Sequence, residues 1–159
     1  MKETDLYSPL KDFLSQQGYE VKGEVQHCDV IAVRADKSVV VVELKLSINM
    51  TVVLQAIDRL QISDTVYIGV PKSIAVLKKQ RKKIVKLLRM LGLGLLVIDP
   101  DARLGSVDVL CDPGEYKPRQ TKQRRHQLLG EFMHRAGDPN PGGSTMRRGF
   151  MTAYRLKAL

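Results

Sequence analysis

No stretch of this chain is apolar for the ~18 or more residues that a bilayer-crossing helix needs. Its start, MKETDLYSPLKDF, is charged from residue 2 and lacks the basic, apolar and small-residue succession of an export signal. Cysteine is scarce: Cys28 and Cys111 make neither a disulfide framework nor a zinc cluster, and both read as small buried residues. The three histidines, His27, His126 and His134, are scattered, with no pair at metal-ligand spacing. Gly92 and Gly94 stop a helix and open a turn without forming a phosphate-binding GxGxxG. There is no internal repeat and no low-complexity tract. These absences argue against a membrane span, a disulfide scaffold, a zinc site and a Rossmann-type nucleotide loop. What is left reads as a cytoplasmic protein with reduced thiols.

The 159 residues suffice for one domain with a true core, or a core plus a small appendage. Charge is unevenly spread along them. Residues 1–70 hold 7 Lys/Arg and 10 Asp/Glu, a net −3, whereas residues 71–159 hold 19 and 7, a net +12. A basic second part suggests a polyanionic partner. A solubilising surface is the plainer alternative.

Leu6, Leu10, Phe13 and Leu14 recur at helical spacing and Gly18 ends the pattern. Pro9 allows two starts for this helix: Ser8 as cap with Pro9 first in the helix, or a start near Glu3 that tolerates the proline. YEVKGEV, CDVIAVRA and SVVVVELKL read as three strands, with a turn at Ala35-Asp36-Lys37. A helix over about 51–62 follows, then the strand TVYIGV, a helix over about 73–91, and the strands GLLVID and SVDVL. The order α-β-β-β-α-β-α-β-β predicts an α/β, α+β-like sheet flanked by helices. Residues 1–112 form the expected core and 113–125 a basic, proline-bearing linker. Residues 126–159 read as a C-terminal helical pair joined by DPNPGGST.

Within the valine-rich hairpin stand two acids and a lysine, Asp29, Glu43 and Lys45. A turn centred on Asp36 pairs residues whose numbers sum to about 72, which sets Asp29 opposite Glu43 with Cβ atoms roughly 4.5–5.5 Å apart. Alternation puts Lys45 on the face of Glu43. A one-residue shift of the turn would undo this. Two carboxylates so close repel unless one is protonated or a cation lies between them. Hard oxygen donors suit Mg²⁺ or Mn²⁺, with the Leu44 carbonyl a further candidate ligand. Lys45 is then placed to help deprotonate water or to stabilise charge on a phosphate. The competing reading is an ordinary Glu43–Lys45 ion pair at a strand end, with Asp29 in a turn.

The C28-D29…E43-L-K45 hairpin, the helix before it and the helix-strand after it resemble the PD-(D/E)xK nuclease-like phosphodiesterase superfamily. ETDLYSPLKDFLSQQGYEVKGEV and GDPNPGGST…TAYR are similar to an uncharacterised bacterial family placed there. The resemblance implies a restriction-endonuclease-like αβββαβ core over residues 3–70. It implies Asp29 and Glu43 as metal ligands and Lys45 as the catalytic lysine. It also implies Glu3 as an additional acidic ligand, with Asp5 its rival, and Gln55 of LQAIDR as a residue touching substrate or water. Cys28 stands where the family name has proline. Gln55, Asp58 and Arg59 cannot all face one site, and Gln55 is ranked above Arg59.

In KKQRKKIVKLLR, Lys79, Lys82, Lys83, Lys86 and Arg89 form one stripe of a helix, while Leu77, Ile84, Leu88 and Leu91 form another. The first suits a phosphate backbone; a solvated face is the alternative. Ser144 or Thr145 can cap a last helix bearing Arg147 and Arg148, so the C-terminal pair is either helix-turn-helix-like or a packing hairpin. The expected function is a Mg²⁺- or Mn²⁺-dependent phosphodiesterase acting on nucleic acid, DNA ahead of RNA, as an endonuclease. No membrane partner is expected, and a homodimer is left open. The rival is a non-catalytic nucleic-acid-binding or regulatory module on the same scaffold.

Overall fold

Leu6, Leu10 and Leu14, at four-residue spacing, make the inner face of the first helix, α1 (Thr4–Gln16). The computed structural model describes residues 1–25, 28–102, 106–115 and 121–135, with Cys28 described in its backbone only. Of the two possible starts, the earlier one forms: Pro9 lies inside α1, where it removes one N–H donor from the helix ladder. The helix gives way at Gly18, whose φ of +86° is open to glycine without steric cost.

Six strands follow the sequence order across one mixed sheet: β1 (Glu20–Val25), β2 (Cys28–Val33), β3 (Val39–Leu44), β4 (Thr65–Pro71), β5 (Gly94–Ile98) and β6 (Val107–Cys111). β1 to β3 pair antiparallel, β3 to β5 parallel, and β6 returns antiparallel on β5. Each parallel step is bridged by a helix, α2 (Met50–Arg59) after β3 and α3 (Ala75–Met90) after β4. Asn49 caps α2 by accepting from Val52 N at 3.1 Å. The fold is α/β, and its first six elements run α-β-β-β-α-β.

Alternation along β3 sorts the core into two layers. Val40, Val42 and Leu44 join Leu6, Leu10 and Leu14 of α1 on one face, together with Val30, Ala32, Leu96 and Ile98. Val41 points the other way, into Val52, Val53 and Ala56 of α2, Leu77, Ile84 and Leu88 of α3, and Val66, Ile68 and Leu95. Every second residue of the central strands is thus apolar on both sides, as a sheet covered by helices on both faces requires. Glu43 is on the face of Val41 and is the single buried charged residue among those described. Among the described residues no helix is long and apolar enough to cross a membrane.

The chain divides into Met1–Pro118 and Arg119–Leu159. Of the second unit the structure describes α4 (Lys122–His134), which has no buried residue. It begins inside the stretch expected to be linker, residues 113–125. The expected last helix, with Arg147 and Arg148, lies outside the described residues.

Candidate active site

The hairpin of β2 and β3 closes through a three-residue loop, Ala35-Asp36-Lys37. Lys37 N donates to Arg34 O at 2.9 Å and Arg34 N to Ser38 O at 3.1 Å. Lys37 then adopts φ +67°, the left-handed residue that follows a type I turn in hairpins of this length. Asp36 braces the loop by accepting from both Ser38 N and Ser38 Oγ, and these bonds hold its carboxyl below the usual carboxylate range. The register that results pairs Val30 with Val42 and Ile31 with Val41, so paired residue numbers sum to 72. Continued by one step, it sets Asp29 opposite Glu43.

Asp29 and Glu43 share the α2 face of the sheet, each two residues along its strand from a side chain packed in that layer, Ile31 and Val41. Asp29 Oδ2 accepts from Leu44 N at 2.9 Å, a bond that fixes the carboxylate at the end of the strand pair. Glu43 is only 2 % exposed, and Arg59 Nε donates to its Oε1 at 2.5 Å. Burial pushes the Glu43 carboxyl up from its ordinary value, against the pull of Arg59, and the charge of Asp29 adds to the rise. The two acids therefore sense each other across the hairpin.

Gln55 is one helical turn before Arg59, on the side of α2 that also carries the buried Val52 and Ala56. Its Oε1 is buried without a hydrogen-bond partner. Sequence reasoning ranked Arg59 below Gln55; the structure brings Arg59 onto Glu43. The i, i+4 spacing of the two was the available signal.

Lys45 follows the last residue of β3, and its N donates to Gly69 O at 3.0 Å, which anchors the backbone at the carboxyl end of the parallel strands. Crevices beyond that end are where open α/β sheets bind ligands. Lys45 Nζ is 3.6 Å from Glu3 Oε1. Glu3, expected as a further ligand, is thus placed beside the lysine, and Asp5 accepts from Lys2 N at 2.7 Å. His27 lies outside the described residues. Cys111 is buried, and burial pushes its thiol up, as suits a packed rather than a nucleophilic residue.

Asp29 and Glu43 supply hard oxygens, and the orphaned Gln55 Oε1 is a further acceptor of that kind. The two carboxylates suit a divalent ion of the Mg²⁺ type, which takes one or two protein carboxylates and completes its shell with water. Among the described residues no group of three His, Cys, Asp or Glu comes together as a metal cluster. Glu3 is therefore not shown as a third ligand.

The basic residues of α3 lie elsewhere, and a kink at Gln80 (φ −134°) separates Lys79 from the other four. Lys79, Lys82, Lys83, Lys86 and Arg89 are all exposed on α3. Arg81, Lys82, Lys86 and Arg89, with Val85 and Leu110, line an open hollow of about 580 Å³ between α3 and β6. Arg81 was missed because it precedes Lys82 and falls outside the three-four spacing of the stripe. β6 is three strands from β3, about 14 Å at the usual strand spacing.

The family described as "Putative PD-(D/E)XK phosphodiesterase (DUF2161)" matches residues 96–159. That description names the superfamily which the hairpin resembles. The matched residues start in β5, so Asp29, Glu43 and Lys45 precede them. Among solved structures the chain is similar to the SPO1766 protein of unknown function from Silicibacter pomeroyi, with a TM-score of 0.53 at 17% identity over 84% of each chain. That likeness is one of fold. No curated protein matches the sequence.

Proposed function

We propose that the protein is a Mg²⁺- or Mn²⁺-dependent phosphodiesterase of the PD-(D/E)xK type that cleaves nucleic acid as an endonuclease, with DNA the favoured substrate. One observation carries this reading: the three-residue hairpin loop aligns Asp29 with Glu43 on the α2 face, two residues before Lys45. The family description points to the same chemistry.

Asp29 and Glu43 would hold the ion, with Gln55 Oε1 as a further oxygen donor or a contact to water or substrate. A bound divalent ion supplies a Lewis acid that polarises a phosphoryl oxygen and lowers the pKa of water. Lys45 is positioned past the strand end to orient the attacking water and to offset charge on the phosphate. Glu3 steers Lys45 by their ion pair. The α3 stripe supplies backbone affinity without reading sequence, and Arg147 and Arg148 add to it from the C-terminal segment.

The second reading is a binding module without catalysis, and the Arg59–Glu43 bond favours it because an arginine there already compensates the buried acid. Metal binding separates the two. Mn²⁺ is titrated by calorimetry into the wild type and Asp29→Asn, each checked for folding by thermal melts. Then DNA and RNA of both strand states are tested for cleavage with Lys45→Ala as control. Saturable binding lost in Asp29→Asn, with cleavage lost in a folded Lys45→Ala, is the expected result. No Mn²⁺ binding, alone or with a short duplex present, would leave the binding module.

A further inference from the structure

A buried carboxylate is tolerated only when its charge is compensated, and Glu43 has two candidate compensators: the guanidinium that holds it and a divalent ion. Both need its oxygens. From the 2.5 Å bond between Arg59 Nε and Glu43 Oε1, we infer that Arg59 is a positioning residue that competes with the metal for Glu43. It holds the acid ready in the fold and gives it up on loading. The inference rests on the metal-site reading above.

Three features carry it. Arg59 and Glu43 come from different elements, α2 and β3, so the bond between them can be exchanged without moving the sheet that fixes the acid. The Arg59 side chain is 19 % exposed against 2 % for Glu43, so the arginine is the one of the pair that borders water. Gln55 Oε1, one turn away, is a buried acceptor left unmet. Native proteins rarely leave such a group unsatisfied, which marks the arrangement with Arg59 on Glu43 as one of two. In the other, this oxygen faces the ion, its water, or the displaced guanidinium.

A purely structural pair behaves differently. Removing a structural arginine leaves Glu43 uncompensated, loosens the hairpin and weakens any ligand there. Removing a competitor tightens metal binding even though it lowers metal-free stability. Tighter binding in a less stable variant is the signature.

The test is a Mn²⁺ titration by calorimetry of the full chain as wild type, Arg59→Gln, Arg59→Lys, and each with Asp29→Asn. Thermal melts are recorded with and without Mn²⁺. Arg59→Gln is expected to melt lower than wild type in chelator and to bind Mn²⁺ about tenfold to a hundredfold tighter, the worth of one hydrogen bond to a charged group. Its Mn²⁺-induced rise in Tm should exceed that of the wild type. Arg59→Lys keeps the charge but not the planar fork, and should fall between them. It carries the test alone if Arg59→Gln does not fold in chelator. Equal or weaker binding in the arginine variants, still abolished by Asp29→Asn, would overturn the competition and leave the metal site standing. Absence of Mn²⁺ binding in every form would overturn the metal site itself, and this inference with it.

Discussion

Glu43 shows how much one side chain decides here. It is the buried charge of the sheet, and the partner that makes it tolerable is Arg59. Glu43→Ala breaks a largely buried ion pair and should cost about 3 kcal/mol by chemical denaturation, the lower end for such a pair because Arg59 keeps some exposure. Leu10→Ala offers a metal-independent comparison: a fully buried side chain under the sheet, expected to cost about 2–5 kcal/mol through lost burial and the cavity left. Mn²⁺ should restore nothing in Glu43→Ala, and should raise the Tm of Leu10→Ala as it does that of wild type. The acids and Lys45 were legible in the sequence because charges stand out in a valine run. Arg59 was ranked below Gln55, since which residues of a short helix turn inward depends on how it docks, and only the i, i+4 spacing put the two on one face. Glu3 was legible as an acid near the site, but not as the ion-pair partner of Lys45.

At the scale of elements, the hairpin loop is what aligns Asp29 with Glu43. A two- or four-residue loop would move every β3 side chain relative to Asp29. The register was readable because Arg34-Ala35-Asp36-Lys37-Ser38 breaks an otherwise apolar run, and the sum of 72 follows from its centre at Asp36. The start of α1 was less readable: Pro9 permitted two readings, and burial of Leu6 beside Leu10 and Leu14 selects the longer helix. The α4 start at Lys122 was hidden in a stretch whose prolines and charges read as linker. Two predictions belong to the loop. Lys37 pays for its φ of +67°, so Lys37→Gly should raise stability by up to about 1 kcal/mol, read as a shifted denaturation midpoint with unchanged slope. Asp36 has a carboxyl held low by Ser38. Its contribution is therefore present above its unfolded value of 3.8 and lost as pH falls through the lower folded value. Asp36→Asn should melt below wild type at neutral pH, and the gap should close on acidification through that window; a gap that stays constant would exclude the carboxylate as its source.

At the scale of the whole unit Met1–Pro118, the acids of the hairpin and the cations of α3 stand at two ends of one sheet. The carboxylates stand at β2 and β3, and the cations of α3 stand over the far edge at β6. An extended polyanion can be held by one end while its backbone is presented to the other, whereas a small phosphate ester cannot reach both across about 14 Å. If the stripe grips backbone phosphates, affinity for a duplex must fall with salt in proportion to the charges engaged, by about 0.9 per phosphate in the log–log slope. Replacing Lys82, Lys86 and Arg89 by serine should then reduce the slope by about 2–3 and weaken binding to all sequences alike. Lys2, Lys11 and Lys22 are equally exposed but lie in the acidic half. Their serine variants lower the net charge by the same amount and should leave the slope unchanged. Fluorescence anisotropy of a labelled duplex over a salt series reads both variants. A slope that drops equally in the two would mean that net charge, and not the α3 face, attracts the polyanion. A slope that drops in neither would return the stripe to the role of a solvated helix face.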